Sequence, residues 1–117
     1  MVGYATRGIN VLMHSTYSIL LEPDTRAFLD EYPFLVSLFS AAGDSLLRAF
    51  PGSTITTRVD DTVDPDTGKA DHQLLMTVWT NGDPHDAVDR LYRFYDDWWL
   101  DNFDAARGKL RFDVGFE

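Results

Sequence analysis

The feature that most constrains this chain is Asn81-Gly82-Asp83-Pro84, followed by a long apolar stripe and then a short alternating run. Asp83 is placed to cap a helix, and Pro84 suits its first turn because the missing N–H would be unpaired there anyway. Asp86 stands three residues past the cap, where the helix dipole favours an acid. Val88, Leu91, Tyr92, Tyr95, Trp98, Trp99 and Phe103 then follow helical spacing, and Arg107-Gly108 stops the helix. From Lys109 to Phe116 the period changes to two, with Leu110, Phe112, Val114 and Phe116 on one side. A helix stripe that leads into a half-apolar strand needs further strands to bury it.

Those strands lie upstream. Thr54 to Asp60 alternates, with Ile55, Thr57 and Val59 opposite Thr54, Thr56 and Arg58. Gln73 to Thr80 places Leu74, Met76 and Val78 on one face and Leu75, Thr77 and Trp79 on the other. Between them, residues 60–71 form a turn-rich loop holding Asp60, Asp61, Asp64, Asp66 and Asp71. Residues 24–50 read as helical. Asp24-Thr25 offers a cap for a short helix from Arg26 to Tyr32, and Pro33 opens a second whose apolar stripe runs from Phe34 to Phe50. Gly43 weakens that second helix, and Pro51-Gly52 ends it.

The expected fold class is α+β, in the order α-α-β-β-α-β. The last strand can run parallel to the second after a crossover. The economical alternative is a small three-stranded antiparallel sheet in the order 2-1-3, packed against the long amphipathic helix. Residues 1–117 make a single domain, with 53–117 as its ββαβ unit. If Met13 is the start, residues 1–12 are a flexible extension. The apolar run from Ile9 to Leu21 is too short and too interrupted for a membrane span, so the protein is expected in the cytoplasm.

The chain has 117 residues, no cysteine and a formal net charge of −9. Thiol chemistry, disulfides and Cys-based zinc sites are therefore excluded. Asp supplies 16 of the 19 acids, and Lys69 and Lys109 are the only lysines. Such a surface repels phosphates; it reads first as a solvated face that keeps the chain soluble, and otherwise as adaptation to a salty cytoplasm or a face for a basic protein partner.

Chemical motifs are few. The acidic loop begins like an EF-hand at Asp64-x-Asp66 but puts its glycine a position early and ends on Leu75 rather than Glu. Asp83, His85, Asp86 and Asp89 could gather an imidazole and carboxylates around a metal, although capping already explains Asp83 and Asp86. His72 adjoins Asp71, but strand neighbours point to opposite faces; His14 stands alone. No nucleophile, base and orienter assemble, so no catalytic residue and no cofactor is assigned.

The aromatic content carries more. Trp98 and Trp99 are about 100° apart around a helix, so one small sheet cannot easily bury both. Either the N-terminal helices cover the second flank, or it is a partner surface, with Trp79, Trp98 and Trp99 as the partner-binding anchors. Arg58 and Arg111, also expected to bind a partner, mark with Lys109 a sheet face of opposite sign to the whole. Basic and aromatic residues on an open sheet also allow a weaker reading as a single-stranded nucleic-acid binder, disfavoured by the −9 charge.

The run Tyr95-Asp-Asp-Trp98-Trp99-Leu-Asp-Asn102, then Gly108-Lys109-Leu110, resembles the C-terminal half of small uncharacterised bacterial proteins of the cyanobacterial type. The resemblance spans about residues 51–117 and implies a bacterial, non-catalytic protein without transferring a role to any residue. The expected function is a non-catalytic acidic protein-binding module, antitoxin-like or an adaptor subunit. It would pair as a homodimer and with a basic protein. A small metal-dependent enzyme or metal-binding protein is the alternative.

Overall fold

The computed structural model describes residues 22–117. The extension 1–12, the Met13 start, the run from Ile9 to Leu21 and His14 lie outside the described residues. Helices α1 (Pro23–Glu31) and α2 (Leu35–Ala49) lead into strands β1 (Thr54–Val63) and β2 (Ala70–Thr80). Helix α3 (Pro84–Phe94) continues through a π turn (Tyr95–Trp99) and a last α-helical piece (Leu100–Asn102), and β3 (Leu110–Phe116) closes the chain. No helix among the described residues is long and apolar enough to cross a membrane.

The sheet order is β1-β2-β3, which corrects the expected 2-1-3. β1 and β2 are antiparallel, while β2 and β3 are parallel, so the sheet is mixed. The direction of β3 follows from the crossover: a helix that leaves the end of β2 and packs back along the sheet delivers the chain to the start of β2. Its neighbour is decided by helix packing. The side of β1 is taken by α1, whose Thr25 hydroxyl bonds that of Thr57 on β1 at 2.7 Å. Helix α3 must lie beside α2, where Arg90 Nη1 donates to the Ala49 carbonyl at 2.9 Å. That arrangement sets α3 over β2 and β3, and β3 takes the free edge of β2.

All the described helices cover one sheet face. Ile55, Leu74, Met76, Val78 and Leu110 from that face join Phe28, Leu35, Phe39, Leu46, Phe50 and Phe94 from the helices in one buried cluster. The period-two pattern is thus realised against helical stripes, each fully buried aliphatic side chain contributing about 1.5–3 kcal/mol.

Element boundaries differ from expectation in three places. Helix α1 begins at Pro23, with Glu22 in the cap position, because proline fits the first turn. Helix α2 runs unbroken through a buried Gly43, since packing outweighs a propensity cost of about 1 kcal/mol. The acidic segment 60–71 is largely ladder: Asp61 pairs with His72 and Val63 with Ala70, leaving a turn at Asp64–Lys69. As β3 begins opposite Leu74, residues 60–63 and 70–73 project beyond it as a two-stranded acidic arm.

The root of that arm is clipped to β3. Lys109 Nζ donates to Asp71 Oδ1 at 2.7 Å and sits 4.9 Å from the Tyr32 ring centroid. The bond from Lys109, then the His72 backbone N–H, holds the Asp71 carboxyl below its ordinary pKa; Asp71 in turn raises that of Lys109.

Two outcomes are expected. Thr57→Val leaves the buried Thr25 hydroxyl without its partner and should cost about 1–3 kcal/mol in urea unfolding. Thr25→Val/Thr57→Val together should cost less than the sum of the single changes. Lys109→Met keeps the stem but removes the charge. Asp71 stabilises above its ordinary pKa and loses that contribution as pH falls through the lowered folded value. Lys109 stabilises below its ordinary pKa and loses its part as pH rises through the raised one. The stability gap between wild type and Lys109→Met should therefore be flat from about pH 5 to pH 9 and shrink at both ends. The partly exposed pair limits it to about 1 kcal/mol. A gap independent of pH would exclude this ion pair.

Candidate functional site

Two surfaces collect the residues singled out by the sequence. The first is the sheet face opposite the helices, carrying Arg58 on β1, Leu75, Thr77 and Trp79 on β2, and Arg111, Asp113 and Gly115 on β3. Trp79 stands opposite Gly115 in the parallel register. Its indole lies against Gly115 so closely that an added Cβ would meet a ring carbon at 2.5 Å. On its other side the indole N–H donates to Thr56 Oγ1 on β1 at 2.7 Å. The ring thus spans all three strands, and the absence of a side chain at residue 115 is what lets it do so.

A second bridge runs parallel to it. Arg111 reaches from β3 across β2 to Asp60 on β1, with Nη1 to Oδ2 at 3.1 Å. Its register partner Leu75 is only 5% exposed although it sits on the outer face. Arg58 approaches the other Asp60 oxygen at 3.7 Å, too far for a hydrogen bond. Between the bridges lies a depression of about 260 Å³, lined by Thr56, Arg58, Leu75, Thr77, Trp79 and Asp113 among others. Lys109 turns away to Asp71 and Tyr32. Arg111 and Lys109 therefore each already donate to a carboxylate, which leaves Arg58 alone of the three expected on this face and weakens any phosphate-tracking role.

The second surface is the outer flank of the long helix. The π turn, closed by the Leu100 N–H on the Tyr95 carbonyl, rotates less per residue than an α-helix. Trp98 and Trp99 consequently stack, with centroids 6.0 Å apart and planes 18° apart. Both lie against Phe112 of β3, Trp99 at 4.7 Å and Trp98 at 6.4 Å, and both remain half-buried. One sheet therefore shelters two neighbouring tryptophans. What stays outside is Val88, Tyr92, Leu100 and Phe103, with Tyr92 59% and Phe103 54% exposed. Phe116, 46% exposed, ends the adjoining strand. Tyr95 is half-buried; burial first, then the Asp113 and Tyr92 charges, push its phenol up, so it is neutral at ordinary pH.

Two of the four metal candidates are engaged within the helix start itself. Asp83 Oδ2 accepts from the Asp86 backbone N–H at 3.2 Å as a helix cap, and the Asp86 carboxylate takes Arg90 Nε at 2.7 Å. His85 and Asp89 are exposed on the same helix. Among the described residues, no group of three His, Cys, Asp or Glu could hold a metal ion. His72 finds its partner across the ladder, with Nδ1 2.5 Å from Asp61 Oδ1. Sequence reading missed this pair because it set residues 60–71 as a loop, and missed the Trp79–Gly115 contact because it placed β3 beside β1.

No protein-family model matches the chain, and no curated protein matches it. Among solved structures, it is similar to the organic hydroperoxide resistance protein OhrB of Bacillus subtilis, at 14% identity over 82% of this chain and 70% of that one, with a TM-score of 0.46. A likeness that distant gives no guide to activity.

Proposed function

We propose that the protein is a non-catalytic binding module that pairs with a second copy through the aromatic flank of the long helix and the neighbouring edge of β3. The observation that carries this reading is the run of exposed Val88, Tyr92, Leu100, Phe103 and Phe116. It lies beside a strand bonded on one side only within the described sheet. A strand edge unpaired within the described sheet and exposed apolar side chains each favour cover, and Trp99, packed on Phe112 of that strand, links the two here. Trp98 and Trp99 support the strip from beneath, and Trp99 also packs edge-on to Phe103 at 5.4 Å. Aromatic side chains of this kind supply the anchoring energy of interfaces.

The projecting acidic arm is then available to a basic protein, as in an antitoxin-like or adaptor role in the cytoplasm. Its carboxylates would act mainly on the rate of encounter, which should fall with added salt.

Light scattering across a range of concentrations tests the pairing. Wild type should reach twice the chain mass. Tyr92→Ser/Phe103→Ser should stay at one chain mass, with a change in folding stability of about 0.5 kcal/mol per site, as for other exposed positions. A wild-type monomer at every concentration would end the proposal.

A further inference from the structure

The depression on the open sheet face is distinct from the aromatic flank, and pairing through that flank leaves it unoccupied. Its contents are selective. One wall is the Trp79 indole, locked by the Thr56 hydrogen bond and seated on Gly115. On the β1 side stands Arg58, a 69%-exposed side chain whose carboxylate neighbour is beyond hydrogen-bond distance. On the β3 side stands Asp113, exposed, with Oδ1 accepting the Val114 backbone N–H at 2.8 Å. Thr77 lies between, directly opposite Asp113 in register. Packing accounts for the indole lying on glycine. It does not account for a cation and an anion on opposite sides of the space beside it.

We propose that this depression binds a zwitterionic aromatic amino acid, with its ring on the Trp79 indole, its carboxylate on Arg58 and its ammonium on Asp113. The match is one of charge and size. A ligand of no net charge avoids the repulsion that the −9 chain exerts on anions. The volume of about 260 Å³ falls below the roughly 300–1,000 Å³ of drug-sized sites and suits a single residue-sized molecule. Rings prefer offset-stacked or edge-to-face contact, and a locked indole supplies a fixed partner without ordering cost. Arg58 can meet a carboxylate with two parallel N–H donors, geometry that Asp60 does not satisfy at present.

The test uses the full chain, labelled with ¹⁵N, and L-phenylalanine as the probe. Saturable shifts confined to the Trp79 indole N–H and the Thr77 and Gly115 amides are expected, with a Kd on the order of 1 mM. Arg58→Gln and Asp113→Asn alter exposed side chains and should keep the fold while each weakens binding by about tenfold, the size of a single lost charged contact. Gly115→Ala should displace the indole and abolish binding, with the native spectrum elsewhere as the check on folding. N-acetyl-phenylalanine, which lacks the ammonium, should bind wild type more weakly than phenylalanine and Asp113→Asn no worse than wild type. Absence of saturable shifts would overturn the proposal. So would equal binding by Arg58→Gln, equal binding of the acetylated probe, or the same shifts on concentrating the protein alone, which would give the depression to a second copy. None of these results depends on whether the helix flank pairs.

Discussion

The pairing of β2 with a neighbour on each side is the interaction on which the rest of the structure depends. β2 is antiparallel to β1 along its whole length and parallel to β3 from Leu74 to Thr80. Because side chains alternate, this one strand supplies Leu74, Met76 and Val78 to the core and Leu75, Thr77 and Trp79 to the open face. A slip of one residue would exchange those sets, burying Trp79 and the threonines beneath the helices and exposing the core. The Lys109–Asp71 clip and the Gln73 amide bond to the Gly108 carbonyl, at 2.9 Å, pin the register where β3 enters. The arm, the depression and the aromatic flank are all placed relative to that register.

Much of this was legible in the residues. Asp83-Pro84 caps a helix as its chemistry requires, and the alternating faces of β1, β2 and β3 emerge as read. The strand order was not legible, because both orders give β3 the same direction and differ only in which edge it joins. That choice rests on α1 and α2 occupying the β1 side, a contact between distant segments that no local pattern carries. The consequence reached the candidate site. With β3 beside β1, Gly115 is punctuation near a chain end; with β3 beside β2, it is the seat of Trp79. Likewise the π turn has no local signature in Tyr95-Asp-Asp-Trp-Trp, yet it decides that the two tryptophans stack against Phe112 and that Tyr92 and Phe103 remain outside.

The global acidity means less than its placement. Asp83 caps, Asp86 holds Arg90, Asp71 holds Lys109, and Asp60 serves Arg58 and Arg111 together. These carboxylates work locally, within the fold. Asp61, Asp64 and Asp66 are exposed on the projecting arm, Asp61 beside His72, and Asp89, Asp96, Asp97, Asp101 and Asp104 are exposed along the long helix and its continuation. An acidic projection stands at one end of the hairpin, exposed apolar side chains stand among carboxylates along the helix, and a charge-paired depression occupies the face between the bridges.

Amide hydrogen exchange of β3, followed as a function of protein concentration, bears most directly on the proposed pairing. The β3 amides that point away from β2, together with those next to Tyr92 and Phe103, should gain protection as concentration rises, while the amides of the β1 edge stay unchanged. Exchange of the outer β3 amides at the same fast rate from dilute to concentrated solution, in a protein that keeps the mass of one chain, would contradict it.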